Sequence, residues 1–247
     1  MCLLLNITLQ DQLHSHNLSS SISVMVNNGS SYRMSAFPVT VFSHLLAVSI
    51  ATLVLYWLLK LREGVAFTSH VKIQIFNLHP LLAVLGFIIC SGEAIITYKG
   101  ILATRQALKL IHLALHLLAL FAGILGICAV FKFHNELKIA HAYTLHSWTG
   151  LSTICLFGLQ LLLGFVTFLF PGAKSGTRAR FAPWHIFTGV VVFFMAIVTA
   201  ETGLMEVFMF QKLYRGQEAL VVNFIGLLVL VFGISVGLIV VLPSKRK

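Results

Sequence analysis

The sequence predicts an all-α integral membrane protein of six transmembrane helices, and three observations lead there. The chain is 58% hydrophobic and only 10% charged, with a mean hydropathy of +0.96, whereas a soluble domain carries roughly 25% charged residues. Six apolar runs, at about 39–57, 78–98, 108–131, 143–170, 184–210 and 220–242, approach or exceed the about 20 residues a helix needs to cross hydrocarbon. Polar, Gly-rich breaks separate them: Leu61-Arg62-Glu63-Gly64, Lys99-Gly100, His134-Asn135-Glu136, Pro171-Gly172-Ala173-Lys174-Ser175-Gly176 and Arg215-Gly216-Gln217-Glu218. Six spans joined by short loops leave no room for a second domain.

The first run follows a Ser/Asn-rich stretch, residues 1–38, expected to be a disordered tail. It holds three glycosylation patterns, at Asn6, Asn17 and Asn28, and a second methionine, Met34, that would serve as a translation start. Met1–Leu5 lacks the basic region of a signal peptide. The second and fifth runs begin beside Pro80 and Pro183, so both prolines are expected at helix starts, where a missing N–H costs little. After the sixth run comes a basic carboxy-terminal tail, 243–247. With the amino terminus inside, the inner segments hold ten cations (Arg33, Lys99, Arg105, Lys109, Lys174, Arg178, Arg180, Lys245, Arg246, Lys247) of the 17 Lys and Arg. That bias places both termini in the cytoplasm, and the three asparagines there would stay unglycosylated. The net charge of +10 is then a topological signal beside an anionic leaflet, and no nucleic-acid partner is implied. Cys90, Cys128 and Cys155 fall inside spans, so no disulfide framework is indicated.

Four histidines carry the chemistry. His79, His112, His146 and His185 each lie near the start of a separate run, at spacings of 33, 34 and 39 residues. If neighbouring spans run in opposite directions, His79 and His146 sit near one face and His112 and His185 near the other. Facing imidazoles are what axial ligation of a haem iron requires, so two pairs at two depths suggest two haems stacked across a bilayer. A lone histidine near a helix end is ordinarily interfacial; His14, His16, His44, His70, His134 and His141 do not share the register. His116, one turn beyond His112, competes with it as a ligand, and the register favours His112. In His146-Ser-Trp-Thr-Gly150 and His185-Ile-Phe-Thr-Gly189 a residue without a side chain lies one turn past the histidine on the same face. Those glycines serve either clearance for a flat macrocycle or close helix packing. Glu93, Glu201 and Glu206 lie toward the far ends of their spans and out of helical register with the histidines, which disfavours a metal or proton transporter. Glu201 has no assigned role.

At these residues the chain resembles the cytochrome b561 family, and within it the transmembrane ascorbate ferrireductases. The resemblance is carried by Phe76-Asn-Leu-His-Pro80, Gly92-Glu-Ala94 with Tyr98-Lys99, Leu110-Ile-His112, Lys132-Phe-His134, Tyr143-Thr-Leu-His-Ser-Trp148, Phe170-Pro-Gly172 with Arg178, Pro183-Trp-His185 and Gly203-Leu-Met-Glu206, and covers roughly residues 39–242. It implies that helices two to five form a four-helix bundle around two haem b, ligated by His79 with His146 on the non-cytoplasmic side and by His112 with His185 on the cytoplasmic side. It further implies that Arg105, Lys109 and Arg178 bind cytoplasmic ascorbate, a monoanion suited to a cation cluster. Arg105 stands where the family has lysine, which keeps the charge and changes the donor geometry. His134 matches the position linked to the outer acceptor, a ferric chelate or monodehydroascorbate. Lys99, Tyr143, Thr144 and Glu206 resemble groups around the haem edges.

The implied function is a transmembrane ascorbate-dependent oxidoreductase that relays electrons outward, with the irons roughly 20 Å apart along the membrane normal. Two other functions are weighed against it. A haem-binding scaffold subunit for a partner reductase would have no ascorbate site of its own, and a haem-free transporter would bind no haem. The residues leave open the acceptor, the host membrane (vacuolar, vesicular or plasma membrane) and whether the chain forms a homodimer.

Overall fold

The computed structural model describes residues 36–243. The expectations for the amino-terminal tail, its three Asn-x-Ser/Thr patterns, Met34, Arg33 and Lys245 to Lys247 fall outside them. Among the described residues six helices are long and apolar enough to cross a membrane: α1 Ala36–Leu61, α2 Lys72–Gly100, α3 Arg105–Leu137, α4 Leu145–Phe168, α5 Ser175–Phe210 and α6 Gln217–Val241. Among the described residues there is no strand and no disulfide.

The helices are longer than several of the apolar runs that foretold them, because backbone hydrogen bonding continues through polar turns that hydropathy leaves out. That overturns one expectation. Pro80 and Pro183 lie inside α2 and α5, well past their first turns. At such positions proline removes one backbone hydrogen bond and crowds the carbonyl four residues back. In α2 the consequence is local: two residues beyond Pro80 the chain widens into a π-helical stretch, Leu82–Ile89, before returning to α register at Cys90–Gly100. Such widened turns are rare and concentrate at functional sites.

α2 to α5 form a ring in which α2 packs on α3, α3 on α4 and α4 on α5, and α5 returns to α2 through the π-helical stretch. α1 and α6 pair with each other outside the ring and lean on α2 and α5. Their seam is closed by fully buried Ile50, Val54, Trp57, Ile225, Phe232 and Ile239. Trp57 Nε1 donates to Glu218 Oε1 (2.9 Å), and Arg62 lies 3.4 Å from the same oxygen, pinning the end of α1 to the start of α6. The α1–α2 loop is tied down by Lys132, which donates to Phe67 O (2.7 Å) and Thr68 Oγ1 (3.1 Å), and by a 2.7 Å ion pair between Lys72 and Glu136. The faces turned away from these contacts are apolar and exposed, as on α4 with Leu159, Leu162, Leu163 and Val166, which suits contact with lipid.

Candidate functional site

Diagonal helices of the ring present the four histidines to one another. His79 of α2 and His146 of α4 have ring centres 5.8 Å apart, and His112 of α3 and His185 of α5 have theirs 6.4 Å apart. Two imidazoles sharing a metal at about 2 Å per bond place their ring centres about 6 Å apart. The pairing expected from alternating helix direction is the pairing found.

Each ring is held from the adjacent antiparallel helix. His79 Nδ1 lies 3.1 Å from Gly126 O, His112 Nδ1 2.8 Å from Ala94 O, and His146 Nδ1 2.9 Å from Thr199 O. A carbonyl only accepts, so these three rings carry their proton on Nδ1, which leaves Nε2 unprotonated and able to ligate. That is the usual outer contact of a metal-ligating histidine. The register is regular. Gly126 follows His112 by 14 residues, Thr199 follows His185 by 14, and Ala94 follows His79 by 15. The extra residue in α2 falls in the segment that holds the π-helical stretch, which takes up one more residue than α-helix over the same rise. Gln160 follows His146 by 14 and takes the fourth place, with its side-chain amide nitrogen 3.0 Å from His185 Nδ1.

Two glycines cradle the rings. A Cβ on Gly203 would lie 2.7 Å from His146 Cε1, and one on Gly164 would lie 2.7 Å from His185 Cε1. Gly164 follows His146 by 18 residues and Gly203 follows His185 by 18, so α4 and α5 each offer a histidine and, five turns on, the recess for the other's histidine. This reciprocity is not among the expectations above, although the equal spacing is plain in the sequence. Gly150 and Gly189, singled out instead, do line the cavities described next. Their nearest neighbours are Thr199 Cγ2 and Gln160 Nε2, 3.4 Å and 3.2 Å from a Cβ built on each. They make room for the groups that hold the imidazoles, one step removed from the rings themselves.

Two cavities open beside the pairs. One, of about 420 Å³, is lined by His112, His116 and His185 together with Lys99, Lys109 and Gln160. The other, of about 410 Å³, is lined by His79 and His146 together with His134, Tyr143, Thr144 and Glu206. Both fall in the range of about 300–1,000 Å³ common for small-molecule and cofactor sites. Thr144 also caps α4, its hydroxyl accepting from Ser147 N at 3.2 Å. Lys109 donates to Phe168 O at 2.9 Å, at the end of α4, and Lys99 donates to Val240 O and Leu242 O at the end of α6. Arg105 and Arg178, the other two expected ascorbate cations, stand at the starts of α3 and α5 and do not line the cavity. His116 sits 4.4 Å from His112, ring centre to ring centre, with a buried Nδ1 that has no partner. His112 has the carbonyl contact that His116 lacks. His134 stacks on His141 at 5.4 Å. Glu201 is partly buried against Gly226 of α6, away from both pairs, with one carboxyl oxygen unpartnered.

The donor set limits what could be held. Among the described residues no group of three or more His, Cys, Asp or Glu converges, so a metal between either pair would draw only two protein ligands. Haem iron, already held by its porphyrin nitrogens, would call on two protein ligands at most, so each imidazole pair would suffice to hold one beside its largely apolar cavity. The residues present fit haem.

Comparison with known proteins agrees. Residues 78–211, which include all four histidines and both cradle glycines, match the family described as eukaryotic cytochrome b561. A probable ascorbate-specific transmembrane electron transporter of Oryza sativa is 46% identical over 216 residues, 85% of this chain and 92% of its own. A transmembrane ascorbate ferrireductase of Arabidopsis thaliana is 42% identical over 83% of this chain and 88% of its own. A transmembrane ascorbate-dependent reductase of Sus scrofa is 36% identical over 78% and 77%. The chain belongs to the eukaryotic cytochrome b561 family.

Proposed function

We propose that this chain moves single electrons across a membrane, from ascorbate at the cytoplasmic face to a non-cytoplasmic acceptor, a ferric chelate or monodehydroascorbate, and that it holds two haem b for the purpose. One observation carries this: two imidazole pairs on diagonal helices, each beside its own cavity, at levels 14 residues or about 20 Å apart along the helices. With the amino terminus in the cytoplasm, His79 and His146 ligate the outer haem and His112 and His185 the inner one. Haem held by two imidazoles supplies one-electron transfer and leaves no coordination position open.

The other residues divide by face. Arg105 opens α3, Lys109 lies one turn inside it, and Arg178 sits in the first turn of α5. Cations at a helix N-terminus add to the positive end of the macrodipole instead of offsetting it. The arrangement costs local stability unless an anion arrives, and ascorbate is an anion. Lys109 borders the cavity itself, so it would draw the anion toward the inner pair. On the other face His134, with Tyr143, Thr144 and Glu206, borders the outer cavity and would receive the acceptor. The relatives named for ascorbate-specific electron transport and for ferrireduction support both ends of this route. The setting is a multi-pass protein of an endomembrane or the plasma membrane with both termini cytoplasmic.

The test is the visible spectrum of detergent-purified protein before and after ascorbate, with haem quantified per chain. Two low-spin b-type haems per chain, reduced by ascorbate, are expected, and H112A or H146A should each remove one. A haem-free protein would overturn the ligand assignment. Two haems that ascorbate leaves oxidised would point to the scaffold alternative.

A further inference from the structure

The two copies of His-x-x-Thr-Gly do different jobs. In α4, Thr149 Oγ1 donates to the carbonyls of Leu145 (2.9 Å) and His146 (3.1 Å) and so stays within its own helix. In α5, Thr188 Oγ1 donates to Trp184 O (2.7 Å) and also reaches across to Gln160 Oε1 (2.9 Å). Gly189 leaves space for that amide, since a Cβ there would lie 3.2 Å from its nitrogen. Gln160 Nε2 in turn donates to His185 O (2.6 Å), and the same nitrogen lies 3.0 Å from His185 Nδ1.

This is the one place of four where the group facing Nδ1 is a side chain. The other three rings meet backbone carbonyls, which only accept and cannot be turned over. Here the group is an amide, with a donor and an acceptor on one side chain, so it can meet Nδ1 in either tautomer of the ring. With Oε1 turned toward the ring, the amide would accept from Nδ1–H, and Nε2 would face Thr188 Oγ1, which can accept from it while donating to Trp184 O. In either orientation the amide stays tied to Thr188, and Thr188 and His185 both belong to α5.

We propose that Gln160, held by Thr188 and cleared by Gly189, is the positioning residue of His185, and that it makes the His112/His185 level electronically unlike the His79/His146 level. The inference rests on the assignment of these imidazoles as haem ligands. An axial imidazole passes its outer hydrogen bond on to the metal, whose reduction potential follows it. A side-chain amide in place of a carbonyl is thus a means of separating two otherwise equivalent haems.

The experiment uses the full chain, haem-loaded, with each haem's midpoint potential and low-temperature electron paramagnetic resonance signal recorded for the parent, Q160L, Q160E and T188V. H185A identifies which midpoint belongs to the inner level by removing it. Q160L should move that midpoint by at least about tenfold in the reduction equilibrium, 59 mV for one electron, and alter its resonance signal, with the other haem unchanged. Q160E, whose carboxylate accepts from Nδ1, should lower the same midpoint. T188V should give a smaller change at the same haem. A loaded Q160L with both midpoints and both signals as in the parent overturns the inference. A change confined to the outer haem does the same. Should Q160L fail to load, T188V decides: a change at the inner haem supports the inference and an unchanged midpoint overturns it. If H112A and H185A leave both haems in place, the ligand assignment has failed and the inference falls with it. If they remove one haem and Q160L changes nothing, only the inference fails.

Discussion

The two levels of the ring, outer and inner in the orientation proposed above, share one frame and differ in what lines them. At each, two imidazoles on diagonal helices meet at about the same separation, and each is anchored at the same register on the neighbouring helix. At the outer level both anchors are backbone carbonyls and the cavity is bordered by His134 and Glu206. At the inner level one anchor is Gln160 and the cavity is bordered by Lys99 and Lys109. A helix repeat can place equivalent groups at equivalent heights without effort. Making the two heights do different work takes side chains, and these are where the levels part.

Filling one recess at a time should separate the two levels most drastically. Valine at Gly203 or Gly164 would push a branched side chain into space where even a Cβ lies 2.7 Å from an imidazole carbon. Those rings are held at Nδ1, so they cannot swing aside without losing that bond. G203V should empty the outer level and G164V the inner, each lowering haem from two per chain to one. The crossed assignment is the sharp part. Gly203 shares a helix with His185 but should behave like a loss of His146, and Gly164 the reverse, read from which haem signal survives. Loss of the same signal in both variants would refute the reciprocal arrangement.

A second comparison sets the faces against each other. R105Q/K109Q/R178Q should weaken ascorbate reduction by about tenfold or more in apparent KM, within the range by which charged clefts concentrate an anion, with haem content and the outer haem's signal unaltered. Added salt should slow the parent more than the triple variant, since screening acts on charges the variant lacks. An unchanged KM would return these residues to the status of loop cations.

How much of this was legible in the sequence follows from the same division. Six spans, the four histidines and their pairing could be read because hydrophobic length and alternating helix direction are properties of the chain itself. The prolines were misplaced because helices continue through polar turns such as the Lys72-Ile-Gln74 stretch, which hydropathy discards. The π-helical stretch was invisible: Leu82–Ile89 is uniformly apolar, and only its packing against α3 shows the added residue. Gly126, Ala94 and Thr199 act through their carbonyls, which every residue has, so no side-chain pattern could announce them. Gln160 was different. An amide in the middle of the apolar stretch Leu159-Gln160-Leu161 could have been flagged as a buried polar group in need of partners. Gly164 and Gly203 could have been found by laying His146 and His185 over one another.

A third, milder test sits at the outer mouth. H134A should slow transfer to a ferric chelate several-fold while leaving ascorbate reduction of the inner haem as it was, measured by following haem oxidation after acceptor is added to reduced protein. His134 stacks on His141 and borders the cavity without entering the His79/His146 pair, so the haem spectrum should not move. A change in that spectrum would put His134 closer to the ligands than its stacking partner allows.

The smallest expected effect is the one that separates the two motif copies most cleanly. T149V removes a hydroxyl whose partners are the carbonyls of Leu145 and His146, both already inside α4. Those carbonyls belong to helix positions that accept backbone N–H groups from the following turn, so losing an additional side-chain donor costs about 0.5 kcal/mol or less. Both haem midpoints and both resonance signals should match the parent. Valine at Thr188, the same position in the other copy, severs a bond that crosses to Gln160. If T149V disturbed the His146 haem as much as T188V disturbs the His185 haem, threonine would be acting in both copies through its own helix, and the amide between α4 and α5 would no longer distinguish the levels.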